Sequence, residues 1–273
     1  MIGARLVNGV ESAAVAADDR GLQYGDGLFE TMLASKGRIM HVELHLARLR
    51  EGCHRLGIPE PDRDLVENDC ERVLAGLDGG IVKLVITRGS GPRGYRPPEQ
   101  ASATRIVSSS ARPPPTREPP EALRLRICEI RLGLNERLAG IKHLNRLEQV
   151  LACAEWNDPS IDEGLMFSAD GRLICATAAN VFLVSGGRLV TPAIRDCGVA
   201  GVMRQAVINT CRAMGVDVVI RDLGLSDIKG CEELFVTSAV RGVRPVGEVI
   251  EVGNWSVREM TTMIRDKVQE TSP

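Results

Sequence analysis

The chain has 273 residues, 44% apolar and 26% charged, with a formal net charge of −2. That balance is the one expected of an ordinary globular protein and excludes a largely disordered chain. It offers no basic footprint for nucleic acid or an anionic membrane, and no apolar run nears the roughly 20 residues of a membrane span. Neither partner is expected.

The opening predicts strands: Arg5–Val7 with the turn pair Asn8-Gly9, then Leu28–Ala34 and Ile39–Val42 around Ser35-Lys36-Gly37-Arg38. Leu46, Leu49, Cys53 and Leu56 recur at helical spacing, which predicts a helix over about Glu43–Leu56 ended by Gly57. A second helix over Asp62–Leu77 leads into strands Ile81–Thr87 and Thr104–Ser108. Five prolines in Ala111–Glu121 cannot sit in a helix or central strand, so this stretch is expected to be a stiff connector. The boundaries that follow are an N-terminal α/β domain of 1–112, a linker of 113–121 and a C-terminal α/β domain of 122–273. In the latter, Leu123–Ile130 alternates as a strand and Leu144–Trp156 has a helical pattern. Gly164–Val190 predicts a meander turning at Asp170-Gly171 and Gly186-Gly187. Val202–Met214 predicts a helix ended by Gly215, then come strands Val216–Ile220 and Leu234–Thr237. The last helix is expected from Ser256, with Glu259 completing a capping box. The class is α+β in two domains.

Eight cysteines are spread out with no CxxC pair, and the segment MIGARLVNGV has no signal-peptide layout. A reducing cytoplasm is the expected compartment. Gly89-Ser-Gly-Pro-Arg-Gly94 matches GxGxxG, but the prolines around it forbid the helix that a dinucleotide fingerprint requires. It is expected instead to be a flexible loop presenting Arg93 and Tyr95. His41 and His45 stand i, i+4 without a third ligand, so they are expected to be structural, and no metal is expected.

Lysines are few: Lys36, Lys83, Lys142, Lys229 and Lys267. Lys142 is flanked by Ile141 and Leu144, and such desolvation leaves an amine available as a nucleophile. A lysine snorkelling from a helix start would show the same pattern. Gly198-Val-Ala-Gly-Val-Met-Arg204 opens a helix, and a glycine-bearing helix start suits a phosphate; an ordinary glycine turn remains the alternative. A desolvated lysine together with a phosphate-binding helix start is what a pyridoxal phosphate site needs.

Ile141-Lys-His-Leu-Asn-Arg-Leu-Glu-Gln-Val150 resembles the lysine segment of aminodeoxychorismate lyases, members of the fold type IV pyridoxal-phosphate family that also holds D-amino acid and branched-chain aminotransferases. Asp19–Thr31, Lys83–Tyr95, Asn180-Val-Phe182 and Gly201-Val-Met-Arg204 agree in order, so the likeness covers nearly the whole chain. The resemblance implies the two-domain type IV architecture, with the lysine in the C-terminal domain, the cofactor in the interdomain cleft and a homodimer. It implies cleavage of 4-amino-4-deoxychorismate to 4-aminobenzoate and pyruvate, a step of folate biosynthesis. An aminotransferase acting on D-amino or branched-chain amino acids, or a cofactor-binding protein without efficient catalysis, are the rivals.

Residue by residue, the resemblance makes Lys142 the lysine bonded to pyridoxal 5'-phosphate and the proton shuttle. It makes Arg48, Val202, Met203, Ser238 and Ala239 the phosphate ligands. Phe29, Lys83, Arg93 and Tyr95 would face the substrate, and Thr31 would help protonate the departing group. Cys175 stands five residues before Asn180, where the family places a glutamate against the pyridine nitrogen.

Overall fold

The computed structural model describes residues 2–12, 14–111 and 122–271; the expected linker, 113–121, lies outside the described residues. The chain forms two compact units: Met1–Pro115 with Ile141–Asn145, and Thr116–Gly140 with Arg146–Pro273.

The first unit begins with β1 (Ile2–Val7) and β2 (Val10–Glu11), a hairpin. Its turn works because Asn8 and Gly9 both take positive φ, 49° and 80°, as a two-residue turn matched to strand twist requires. The short helix α1 (Arg20–Tyr24) is capped by Asp19, which accepts from Gly21 N, and stopped by Gly25. Then come β3 (Gly27–Ser35), β4 (Arg38–Ile39), α2 (Val42–Leu56), α3 (Arg63–Leu74, capped by Asp62), β5 (Gly79–Thr87) and β6 (Thr104–Ala111). Among the described residues the strands make one antiparallel sheet, β2-β1-β6-β5-β3-β4. Strand period two divides β3 cleanly. Leu28, Glu30, Met32 and Ala34 are buried, while Phe29, Thr31 and Leu33 on the other face are only half-buried. Gly52 of α2 packs directly on Leu28: a Cβ there would fall 2.7 Å from the Leu28 side chain.

The second unit holds β7 (Leu123–Leu132), α4 (Leu147–Cys153), β8 (Glu163–Ser168), β9 (Leu173–Ala176), β10 (Asn180–Ser185) and β11 (Arg188–Pro192). It continues with α5 (Val202–Ala213), β12 (Val218–Arg221), α6 (Leu225–Gly230), β13 (Glu233–Ser238), β14 (Gly242–Val249), β15 (Gly253–Asn254) and α7 (Glu259–Thr271). The sheet order is β12-β11-β10-β13-β14-β7-β8-β9, with β15 on β14. Leu173 N donates to Leu223 O at 2.8 Å, just beyond the opposite edge strand, so the two edges of the sheet meet. Leu125, Leu165, Leu173, Val181, Leu183 and Leu234 build its core. Among the described residues no helix is long and apolar enough to cross a membrane.

Three expectations change. The lysine segment was expected in the C-terminal domain, yet Ile141–Asn145 groups with the first unit. The reason is an open sheet edge. On its second side β3 has only β4, which covers Ala34 and Ser35, so the backbone at Gly27–Phe29 lacks a strand partner there. The lysine segment takes that edge: Phe29 N donates to Lys142 O (2.9 Å) and Leu144 N to Gly27 O (3.0 Å). For the same reason α4 starts at Leu147 and not at Leu144. The capping box of α7 is also absent: the helix begins at Glu259, and the Glu233 carboxylate of β13 accepts from Met260 N and Thr261 N instead. A cap borrowed from another strand leaves no local signature.

Candidate active site

Lys142 carries its amine to the half-buried face of β3. Its Nζ lies 4.5 Å from the Phe29 ring centroid, and Lys83 Nζ lies 5.4 Å from the same centroid. The register explains the second contact, since Thr31 pairs with Lys83 and Phe29 with Val85. Four of the expected residues therefore gather on one face of the first sheet: Phe29, Thr31, Lys83 and Lys142. An aromatic face attracts both cations and supplies an apolar floor beneath them. Beside Lys142, Ile141 is fully buried.

Arg48 of α2 pairs with Glu30, one of the buried residues of β3. Its Nε donates to Glu30 Oε1 at 2.8 Å and its Nη2 donates to Oε2, while His45 Nδ1 stands 2.6 Å from Oε2. Burial alone would raise the Glu30 carboxyl, but the charges and hydrogen bonds of Arg48 and His45 outweigh it and hold the carboxyl below its usual range. His45 is thus a structural histidine, as expected. Arg93 and Tyr95 lie on the Gly89–Arg96 loop, with Tyr95 86% exposed and its ring 5.5 Å from that of Tyr24. That loop is not simply flexible, because the buried Arg20 donates to Gly94 O and Tyr95 O.

In the second unit Val202 and Met203 open α5, and the preceding Gly201 has no side chain to cap it. The first N–H groups of a helix have no partner within the helix. Asn180 braces this turn: its Nδ2 donates to Val199 O at 2.9 Å, and a Cβ on Gly201 would fall 2.0 Å from its Oδ1. Directly across the sheet from Asn180 is Thr237, whose buried hydroxyl has no hydrogen-bond partner. Ser238 and Ala239 follow it. A helix start without a cap beside an orphaned buried hydroxyl fits an anion with several acceptor oxygens, such as a phosphate monoester. Of these residues, Thr237 had no distinguishing sequence signal, and Asn180 had only the motif around it.

A profile of the family Amino-transferase class IV matches residues 27–249 of the chain. The chain belongs to that family. It is 35% identical over 245 residues to an aminodeoxychorismate lyase of Vibrio harveyi, covering 89% of this chain and 90% of that one. It is similar to the crystal structure of 4-amino-4-deoxychorismate lyase from Pseudomonas aeruginosa, with 42% identity, a TM-score of 0.91 and 98% of each chain covered. A branched-chain amino acid aminotransferase of Escherichia coli shares the fold at 20% identity, with a TM-score of 0.85 and 97% and 92% of the two chains covered.

In this class IV amino-transferase the residue five places before Asn180 is a buried thiol. Burial pushes Cys175 up to about 12, with Cys197 adding to the shift and Arg146 opposing it. Cys175 is therefore neutral at physiological pH and cannot pair as a carboxylate would. Burial likewise pushes Cys53, Cys70, Cys128, Cys197, Cys211 and Cys231 up to about 11 or 12. Cys153 is the exposed cysteine. In native protein at pH 8 Cys153 alone should react quickly with a disulfide reagent, and the other seven only after denaturation. Fast modification of Cys175, located by peptide mapping, would contradict this picture of its surroundings.

Proposed function

We propose that this enzyme converts 4-amino-4-deoxychorismate to 4-aminobenzoate and pyruvate with pyridoxal 5'-phosphate, in the cytoplasm and as a homodimer. One observation carries the reading: an amine on Lys142, a hydroxyl on Thr31 and a cation on Lys83 share one face of the first sheet around Phe29. The lyase relatives at 35% and 42% identity support it.

Lys142 would hold the cofactor covalently. Val202, Met203, Ser238 and Ala239, with Arg48, would hold its phosphate, and Cys175 would face its ring. When bound, the cofactor supplies an electron sink for the carbon that carries the substrate amine. The remaining work falls to the chain's own groups. Lys83, Arg93 and Tyr95 bind and orient the substrate's two carboxylates, for which a guanidinium fork is well shaped. Lys142 Nζ would remove the proton from the amine-bearing ring carbon. Thr31 Oγ1 donates a proton as the enolpyruvyl oxygen–carbon bond breaks and pyruvate leaves. The ring then gains aromaticity, which favours elimination and lessens what is asked of the residue at position 175.

Support for a second copy comes from α4, which exposes Leu147, Val150 and Leu151 at helical spacing on one face. Such a patch calls for a cover, and light scattering should give twice the chain mass. Seven buried, unpaired thiols support a reducing compartment.

The deciding experiment incubates holoenzyme with 4-amino-4-deoxychorismate and measures 4-aminobenzoate and pyruvate together. Equal release of both is expected. Transfer of the amine from an amino-acid donor, with no 4-aminobenzoate, would overturn the reading. Thr31→Val keeps the shape and deletes the hydroxyl, so the cofactor spectrum should stay while the lyase rate falls about a hundredfold. A full rate in Thr31→Val would remove Thr31 from the mechanism.

A further inference from the structure

The connection between β5 and β6 forms no regular element, and its tip is held from outside. Asp19 clamps its two ends: Oδ2 accepts from Thr87 Oγ1 at 2.9 Å and from Thr104 Oγ1 at 2.8 Å. Arg20 holds the tip. This side chain is 3% exposed. Its Nη1 donates to Gly94 O (2.9 Å), its Nη2 to Tyr95 O (3.0 Å) and its Nε to Asp26 Oδ2 (2.9 Å). The guanidinium also lies 4.8 Å from the Tyr24 ring centroid. The Tyr24 hydroxyl accepts from Gly94 N at 3.1 Å. Donors from Arg20 and the acceptor on Tyr24 thus converge on two consecutive residues, Gly94 and Tyr95.

The holder is itself held. Asp26 accepts from Arg88 Nε (2.7 Å) and Nη2 (3.0 Å), and Arg88 donates in turn to Leu56 O (2.8 Å) and Gly57 O (2.7 Å) at the end of α2. Burial would raise the Asp26 carboxyl, but Arg88 and Arg20 outweigh it and keep the carboxyl ionised. A line of buried polar contacts therefore runs from the end of α2 through Arg88, Asp26 and Arg20 to the loop tip. Gly94 sits at a φ of 105°, a conformation most residues avoid, so the tip's shape depends on these outside contacts. Neither side chain on the tip is buried: Arg93 and Tyr95 both face solvent.

We propose that Arg20 is a positioning residue for substrate recognition, fixing the Gly94–Tyr95 backbone so that Arg93 and Tyr95 present an ordered pair of groups to a dicarboxylate. Ordering the loop in advance removes an entropy cost that binding would otherwise carry. A lysine cannot take over, because the three acceptors match the planar fork of a guanidinium. The inference rests on the lyase reading above.

The test uses holoenzyme of wild type, Arg20→Met, Arg20→Lys and Tyr24→Phe. Arg20→Met should raise KM for 4-amino-4-deoxychorismate about tenfold or more, with kcat within about threefold of wild type. Arg20→Lys should not rescue it, and Tyr24→Phe should raise KM about threefold. Cofactor absorbance should be unchanged throughout. Trypsin supplies a readout that needs no substrate: cleavage after Arg93 should be at least about tenfold faster in Arg20→Met than in wild type. Unchanged KM and unchanged cleavage in Arg20→Met, or full rescue by lysine, would overturn the proposal. Should Arg20→Met fail to fold, Tyr24→Phe carries the test, and wild-type values of KM and cleavage there overturn it. Wild type without lyase turnover, but with Arg20-dependent protection at Arg93, would overturn the lyase reading and leave the loop-holding role standing.

Discussion

Lys142→Ala should lower the rate of 4-aminobenzoate release by at least about a thousandfold, because the proposal gives this one amine the work of both cofactor anchor and proton shuttle. The fold should survive. What ties this segment to β3 is backbone, Phe29 N to Lys142 O and Leu144 N to Gly27 O, and alanine keeps both bonds. The side chain gives up its contact with the Phe29 ring, worth about 0.5–1 kcal/mol at a site that is not fully buried. Borohydride reduction of the wild-type holoenzyme followed by peptide mapping checks the assignment independently. The label is expected on Lys142. A label on Lys83, the other amine near that ring, would exchange their roles. Near-normal turnover in Lys142→Ala would remove the lysine from the chemistry.

Glu30→Ala should cost stability and not merely activity. The carboxylate is buried and serves Arg48 and His45 together. Removing it takes away the carboxylate that Arg48 and His45 share, and breaking such a buried pair costs about 3–5 kcal/mol. The pH dependence has a definite sign. The Glu30 carboxyl lies below its usual value in the folded protein, so its contribution is present above the unfolded value of about 4.3 and is lost as pH falls through the folded one. Urea unfolding at several pH values is the measurement. Wild type should weaken on acidification below about pH 4, while Glu30→Ala should start weaker at pH 7 and show a shallower acid limb. Equal stability of the two proteins at pH 7 would mean that the pair contributes nothing net. Because Arg48 is also a proposed phosphate ligand, cofactor affinity should fall in the same variant.

Local structure was legible wherever a single turn or a single face decided it. Asn8-Gly9, Lys36-Gly37 and Gly57 sit at positive φ where the turn chemistry places them, and the alternation in β3 sorts Leu28, Glu30 and Met32 from Phe29 and Thr31. Ends of elements were less legible. The helix start at Leu147 and the cap on α7 are set by Gly27 and Glu233, far away in the chain. β14 has no counterpart among the expected strands; Pro245 sits within it, and proline argues against a central strand.

By itself, then, the sequence determined the α+β class, most of the elements and the family, since the lysine segment and the motifs that accompany it in order are contiguous strings whose meaning survives without coordinates. Only the tertiary structure decided where that segment belongs. Lys142 lies beyond the expected linker in sequence, yet its backbone completes the open edge of β3 in the first unit. The same holds for the Arg20–Asp26–Arg88 line behind the loop and for the hydroxyl of Thr237 across from Asn180. These arrangements join residues far apart in the chain, and each turns on buried polar groups that the local elements by themselves leave over. Such leftover groups have no periodicity, so nothing in the order of residues announces them.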